Sequence, residues 1–250
     1  MNPCLIFPIL IPPTNLSNFR LTVAVLKFYL NRTSMMDLHT HTRYSDGVGL
    51  IRDNVAWAEK RGLKIVGISD HLHFFTPSKF SSYINEIKVV REESDVLVLA
   101  GIEANILENG PDITEEFRKQ LDYVIASVHE WFGEGEVHKY IEYVKRAIID
   151  ENVDIIGHFG NTFPWIGYPS EEEIKEVLDL AEAYGKAFEI SARYKVPDLE
   201  FVRECIKRGI KLSIATDAHR PEDVGKVAWS LKIFEKAGGK KEDLVFSEYL

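Results

Sequence analysis

The sequence predicts an α/β protein in which strand and helix alternate seven times, an arrangement that a closed or nearly closed barrel accommodates. Three observations carry this reading. Short apolar, β-branched runs recur from Met36 onward, each followed by an amphipathic stretch with helical period. No linker rich in Gly, Ser or Pro divides that region. The length of 250 residues suffices for one large α/β domain with a sizeable core. An open doubly wound sheet is the alternative topology.

The strands are expected at roughly Met36–His41, Lys64–His71, Val96–Ile106, Tyr123–His129, Val153–His158, Ala187–Ser191 and Lys211–Thr216. Helices are expected at Leu50–Arg61, Lys79–Glu93, Val137–Asp150, Glu171–Tyr184, Asp198–Arg208 and Asp223–Ala237. Ser170 with Glu173 three residues on forms a capping-box signature. Gly62, Gly185, Gly209 and Gly238 fall where helices end in a left-handed residue. Such repetition demands a parallel sheet with covered faces. In parallel barrels the reactive groups gather where strands end.

Composition narrows the function. With 39 acidic against 30 basic residues, a net charge of −9 disfavours a protein that holds long nucleic acid by neutralising phosphates. The two cysteines, Cys4 and Cys205, build neither a disulfide framework nor a zinc knuckle and fit a reducing, cytoplasmic setting. Charge is uneven along the chain. Residues 1–35 hold Arg20, Lys27 and Arg32 and no acidic residue, which leaves the other 215 with 27 basic and 39 acidic residues, a net −12. The same stretch carries four of the ten prolines. Its apolar run Leu21–Leu30 is broken by Lys27, so it matches neither a membrane span nor a secretory signal. We read residues 1–35 as a gene-start artefact, with translation beginning at Met35 or Met36 and the working domain spanning 36–250. The alternative is an arm that packs on the barrel, and the mass of the protein from its native source distinguishes the two.

The chemistry-bearing residues fall at the expected strand ends. His39 and His41 close the first strand, and the period of two puts both imidazoles on one face. Asp46 follows in the first loop, Asp70-His71 ends the second strand and Glu103 lies near the end of the third. His129 and His158 end the fourth and fifth, and Asp217 and His219 close the seventh. Six of the eight histidines therefore occupy strand ends. The nine groups His39, His41, Asp46, His71, Glu103, His129, His158, Asp217 and His219 are too many to bury together without cations. Imidazole and carboxylate without thiolate suit zinc, manganese or iron. Nine donors exceed one tetrahedral ion, so two or three ions share them, with Glu103 the best candidate to bridge. Adjacent ions of this kind generate hydroxide and clamp a phosphoryl group during in-line displacement.

The runs Asp37-Leu-His39-Thr-His41-Thr-Arg-Tyr-Ser-Asp46-Gly, Ser69-Asp70-His71, Gly101-Ile-Glu103, Ser127-Val-His129, Gly157-His158 and Thr216-Asp217-Ala-His219 resemble the polymerase and histidinol phosphatase (PHP) family. The resemblance implies a distorted seven-stranded TIM-like barrel with three metal ions. It would place His39, His41, Glu103 and Asp217 on the first ion, Glu103, His129 and His158 on the second, and Asp46, His71 and His219 on the third. Some members carry histidine where Asp46 stands.

The expected function is that of a metal-dependent phosphoesterase that hydrolyses a small phosphomonoester, histidinol-phosphate-like or a nucleotide, by attack of metal hydroxide on phosphorus. A phosphodiesterase or exonuclease acting on oligonucleotide ends, or a non-catalytic metal-stabilised module, are the alternatives. Glu103, Asp217, His219 and His71 form the expected catalytic set, with His219, His71 or a metal-bound water as proton donor. Arg193, two residues beyond Ser191, is a candidate phosphate clamp or an exposed loop arginine, and Arg43 has a weaker case. Glu189 is expected to orient a neighbour, and Asp70 to support a ligand. Trp131-Phe132 and Phe163-Pro164-Trp165 are candidate walls of the mouth, with loop packing as the default. The partner is a small phosphorylated substrate, with no membrane.

Overall fold

In a computed structural model of the chain the described residues are 36–250. The reading of residues 1–35 falls outside them. Strands β1 (Met36–Asp37), β2 (Ile65–Ile68) and β3 (Leu97–Ala100) form one parallel sheet. A second sheet runs in the order β5 (Gly110–Pro111), β4 (Glu103–Leu107), β6 (Ile125–Ser127), β7 (Ile155–Ile156), β8 (Ala187–Ser191) and β9 (Leu212–Ala215). It is parallel except for the β4–β5 hairpin. The two sheets meet at both margins. Leu38 N donates to Ile214 O at 3.1 Å and His41 N to Ala218 O at 2.8 Å. On the other side Glu103 N donates to Asp70 O at 3.0 Å, with His71 and Glu103 bridged.

Helices α1 (Ile51–Lys60), α2 (Pro77–Glu93), α3 (Glu115–Arg118), α4 (Val137–Ile149), α5 (Phe163–Ile166), α6 (Glu171–Tyr184) and α7 (Leu199–Arg208) lie between strands, and α8 (Ala228–Lys236) follows β9. Local chemistry sets their ends. Glu173 N donates to Ser170 Oγ at 3.2 Å and Ser170 N to Glu173 Oε2 at 2.8 Å, the reciprocal cap that the sequence predicts for α6. Gly185 and Gly209 take the left-handed φ of 64° and 74° that ends α6 and α7. Two apolar clusters line the sheets. One holds Ile141, Val144, Val177, Leu178 and Val202 from α4, α6 and α7. The other holds Val55, Ile84 and Ile87 from α1 and α2.

Two expectations need correction. The predicted third strand is two strands, β3 and β4, broken at Gly101-Ile102. The cause is a side chain from elsewhere: the Tyr123 ring packs against Gly101 and Gly67 where any Cβ would overlap it, and its hydroxyl donates to Leu38 O. Tyr83 Oη holds the same corner, its one proton shared between Ile68 O at 2.7 Å and Gly101 O at 2.8 Å. Glu103 therefore opens β4 rather than ending a strand. The last helix also starts later than Asp223. A tight turn over Pro221–Asp223 and a left-handed Gly225 at φ 77° precede α8. The Gly225 N–H goes to the buried Asp37 carboxylate at 2.7 Å.

A candidate metal centre at the strand ends

All nine expected donors converge on one region. Glu103, 1% exposed, stands at its middle. Its Oε2 lies 3.2 Å from His39 Nε2, 2.8 Å from His71 Nδ1 and 3.6 Å from His41 Nε2. Its Oε1 lies 3.2 Å from His158 Nε2 and 3.3 Å from His129 Nε2. Asp217 Oδ1 is 3.0 Å from His41 Nε2 and 3.4 Å from His219 Nδ1. Asp46 closes the open side, with its carboxylate oxygens 3.2 Å from His219 Nε2, 3.7 Å from His71 Nε2 and 3.8 Å from His41 Nδ1.

Three groups have ligand atoms within 4.8 Å of one another: His41, Asp46, His71 and His219; His39, His41 and Glu103; His71, Glu103 and His129. The groupings overlap more than the resemblance implies, since His41 and His71 each belong to two. His158 reaches the cluster through Glu103, and Asp217 through His41 and His219.

The donor set fits divalent cations. His39 Nε2, His41 Nε2, His71 Nδ1 and Glu103 Oε2 are buried and have no hydrogen-bond partner, which is costly for so many polar atoms in one place unless a cation takes them up. Burial pushes the His39 imidazolium down, yet the Glu103 and Glu189 carboxylates outweigh it and hold its pKa well above the usual value. Burial acts likewise on His71 and His158, and Glu103 again raises both. For His41 burial prevails and the pKa is lowered. Burial raises Glu103 itself, but the imidazoles around it hold it well below the carboxylate range. These shifts describe one group of mutually compensating charges.

Supporting groups fix the ligands. His39 Nδ1 donates to Glu189 Oε2 at 2.6 Å, leaving Nε2 facing Glu103. Asp70 accepts from Thr42 N at 2.8 Å, Thr42 Oγ1 at 2.7 Å and Ser45 Oγ at 2.6 Å. It thus pins the loop that carries Asp46. The sequence reading missed a third support. His129 Nδ1 donates to Asn105 Oδ1 at 2.7 Å, and Asn105 Nδ2 donates to Asp112 Oδ2 at 2.8 Å across the β4–β5 hairpin. The turn is Glu108-Asn109, and the adjoining Asn109-Gly110 pair is the sequence signal beside it. Two donors sit on strained backbone, His158 at φ 28° and Asp217 at φ 54°. Such a conformation costs on the order of 1–3 kcal/mol for a non-glycine residue and persists where surrounding structure over-determines it.

Around the mouth, Arg193 Nη1 donates to Asp217 O at 3.0 Å and lies 3.0 Å from His219 Nδ1, with Nε 3.6 Å from Asp217 Oδ2. Arg43 Nε is spent on Val48 O at 2.8 Å within its own loop. Phe132 is buried in the core while its neighbour Trp131 is 88% exposed, so only the tryptophan is free to form a wall. His73 Nδ1 accepts from Asn105 Nδ2 at 3.1 Å at the rim, and His138 pairs with Glu173 on the surface.

Residues 37–193 match the PHP domain family. The chain belongs to that family. It is 33% identical over 227 residues to a probable phosphatase of Thermoanaerobacter sp. (strain X514), covering 85% of this chain and 90% of that protein. It is 31% identical over 198 residues to the DNA polymerase/3'-5' exonuclease PolX of Bacillus subtilis (strain 168), covering 74% of this chain and 34% of that protein. The fold is similar to the histidinol phosphate phosphatase from Lactococcus lactis complexed with zinc, L-histidinol and phosphate, with a TM-score of 0.64 at 19% identity over 83% of this chain and 95% of that one. As a PHP protein with this donor cluster, the chain is a metal-dependent phosphoesterase and a hydrolase. Among the described residues no helix is long and apolar enough to cross a membrane.

Proposed function

We propose that this PHP protein hydrolyses a small phosphomonoester, histidinol-phosphate-like or a nucleotide, with two or three divalent ions of zinc, manganese or iron, in the cytoplasm. The observation that carries the reading is Glu103, whose two oxygens together face five imidazoles. A carboxylate in that position can serve two ions at once. His39, His41, Glu103 and Asp217 would hold one ion, Glu103, His129 and His158 a second, and Asp46, His71 and His219 a third. Bound ions supply Lewis-acid stabilisation of phosphate oxygens and activation of water.

The protein's own groups do the rest. Ligation through His219 Nε2 requires the proton on Nδ1, which then donates to Asp217 O at 3.0 Å. That arrangement leaves no lone pair on Nδ1 for Arg193, whose Nη1 keeps Asp217 O at 3.0 Å, and leaves the remaining N–H groups of the guanidinium for the oxygens of a phosphate. Arg43 has no such support, because its Nε already serves Val48. Glu103, Asp217, His71 and His219 form the reacting core, and the leaving oxygen would take its proton from a water at the ions, or from His71 or His219 where that side chain is not holding one. The hydrogen bonds at both sheet margins support reading the two sheets as one seven-stranded barrel over residues 36–250.

A second reading, cleavage at oligonucleotide ends, is favoured by the 31% identity to PolX. Purified protein is expected to contain at least two equivalents of zinc, manganese or iron and to hydrolyse a generic aryl phosphate. A panel of histidinol phosphate, nucleoside monophosphates, bisphosphates and short oligonucleotides separates the two readings. Normally folded protein without metal affinity would sink both.

A further inference from the structure

We infer that Asp37 is the positioning residue that sets Asp217 for the ion assigned to His39 and His41, acting through Thr216 rather than by ligation. This rests on the ligand sets proposed above and deepens them, because it names what keeps Asp217 in a ligand's place. Asp37 and Thr216 open the two runs that carry these donors, and neither has yet been given a role. The Asp37 carboxylate is completely buried and meets three donors. Thr216 N lies 2.9 Å from Oδ1, while Thr216 Oγ1 at 2.6 Å and Gly225 N at 2.7 Å share Oδ2. Burying a carboxylate is a costly way to join β1 to β9, and backbone pairing already joins them through Leu38 N to Ile214 O and His41 N to Ala218 O. What the side chain adds is a double grip on the residue before Asp217.

Asp217 requires that grip. Its φ of 54° lies in the left-handed region, which a non-glycine residue holds only where its neighbours over-determine it. The groups on either side are fixed one by one: Thr216 N by Asp37, Asp217 O by Arg193 Nη1 at 3.0 Å, and Ala218 N by His39 O at 3.2 Å. The outcome is an Asp217 Oδ1 that stands 3.0 Å from His41 Nε2 and 3.9 Å from His39 Nε2. Among the side chains that impose this backbone, Asp37 and Thr216 are the pair that faces neither the ions nor the mouth. The third bond carries the grip outward. Through Gly225 N, Asp37 also fixes the loop whose Asp223 and Lys226 line a cavity of about 190 Å³ together with Arg193 and Asp217. One carboxylate thus sets a ligand and the loop beside the candidate phosphate clamp.

The test measures zinc affinity of the folded protein by chelator competition in Asp37→Asn, Thr216→Val and Thr216→Ser. Asp37→Asn should weaken zinc about 10- to 100-fold, the range for a group that supports a ligand, and Thr216→Val, which keeps the backbone bond, about 3- to 10-fold. Thr216→Ser keeps the hydroxyl and should stay within about twofold of the wild type. In an Asp217→Asn background Thr216→Val should cost no more than about twofold further, since two residues that act as one unit do not add. A merely structural role lowers urea stability and leaves zinc affinity alone. Wild-type affinity in Thr216→Val, an equal loss in Thr216→Ser, or an undiminished loss in the Asp217→Asn background overturns the positioning role; if Asp37→Asn does not fold, these three comparisons decide it. Loss of affinity in Asp217→Asn beside none in Thr216→Val rejects the positioning and leaves the ligand sets standing. Wild-type affinity in Asp217→Asn removes Asp217 from the ligands and the positioning role with it.

Discussion

His39 Nδ1 and Glu189 Oε2 lie 2.6 Å apart, and both side chains are completely buried. A neutral imidazole that donates through Nδ1 presents a lone pair on Nε2, so the carboxylate sets both tautomer and ring orientation. Glu189→Gln should weaken metal affinity about 10- to 100-fold. Chelator competition measures it, and wild-type affinity in the variant would remove Glu189 from the site.

Glu103→Gln removes the charge that every imidazole around it shares. Metal stoichiometry should drop and turnover should fall by more than about 100-fold, beyond the effect of an outer hydrogen-bond partner. Elemental analysis together with aryl phosphate hydrolysis reads both quantities. Retained activity would show that Glu103 does not bridge.

Asn105 stands between His129 and Asp112. Asn105→Ala should lower metal affinity and kcat by about 10-fold or more, while Asn105→Asp keeps an acceptor for His129 Nδ1 and should recover part of the loss. A purely structural role for Asn105 predicts the reverse ranking in metal affinity, since the new carboxylate stands close to Asp112.

The compensating charges predict opposite pH behaviour with and without metal. In the metal-free protein His39, His71 and His158 have raised pKa values, so their stabilisation is complete below about 6.5, the value of free imidazole, and is lost as pH rises through the folded-state values. His41, lowered, opposes them. Glu103 and Asp217 are lowered, and their stabilisation, present above about 4.3, is lost as pH falls through the folded values. Metal-free protein should therefore melt highest between about pH 4.5 and 6.5 and lose Tm toward about pH 8. Metal-loaded protein should gain Tm over that last interval, because ions and protons compete for the same nitrogens. Melting curves with and without chelator decide it, and a metal-free Tm that climbs from 6.5 to 8 contradicts the charge assignment.

Gly101→Ala places a methyl group against the Tyr123 ring at the corner between β3 and β4. Overpacking of a fixed core of this kind costs about 1–3 kcal/mol. Urea unfolding reads the loss, and Tyr123→Phe in the same background should relieve only part of it, since ring carbons as well as the hydroxyl stand within 3 Å of the new methyl group, Cζ closest and Oη at 2.6 Å.

The clustering of the candidate donors was legible in the sequence because it depends largely on local rules: a period of two pairs His39 with His41 and Asp217 with His219, and His71, Glu103, His129, His158 and Asp217 each follow an apolar run. The break in the third strand was not legible. Val96–Ile106 is a continuous apolar run, and the ring that bends it belongs to Tyr123, outside any local window. The start of α8 depends likewise on a distant partner, the Asp37 carboxylate that accepts from Gly225 N. Asn105 and Asp112 escaped because two-residue β5 is too short to show alternation, although the Asn109-Gly110 pair stands where its turn ends.

Glu103 occupies the position where the chain leaves one sheet for the other, bridged to His71 across the margin. Whatever neutralises that carboxylate also rivets the seam. Amide hydrogen exchange in chelator-treated protein should then spread outward from Glu103 and His71 before it touches α4 or α6, so that a change in ion occupancy is felt first as a parting of the sheets.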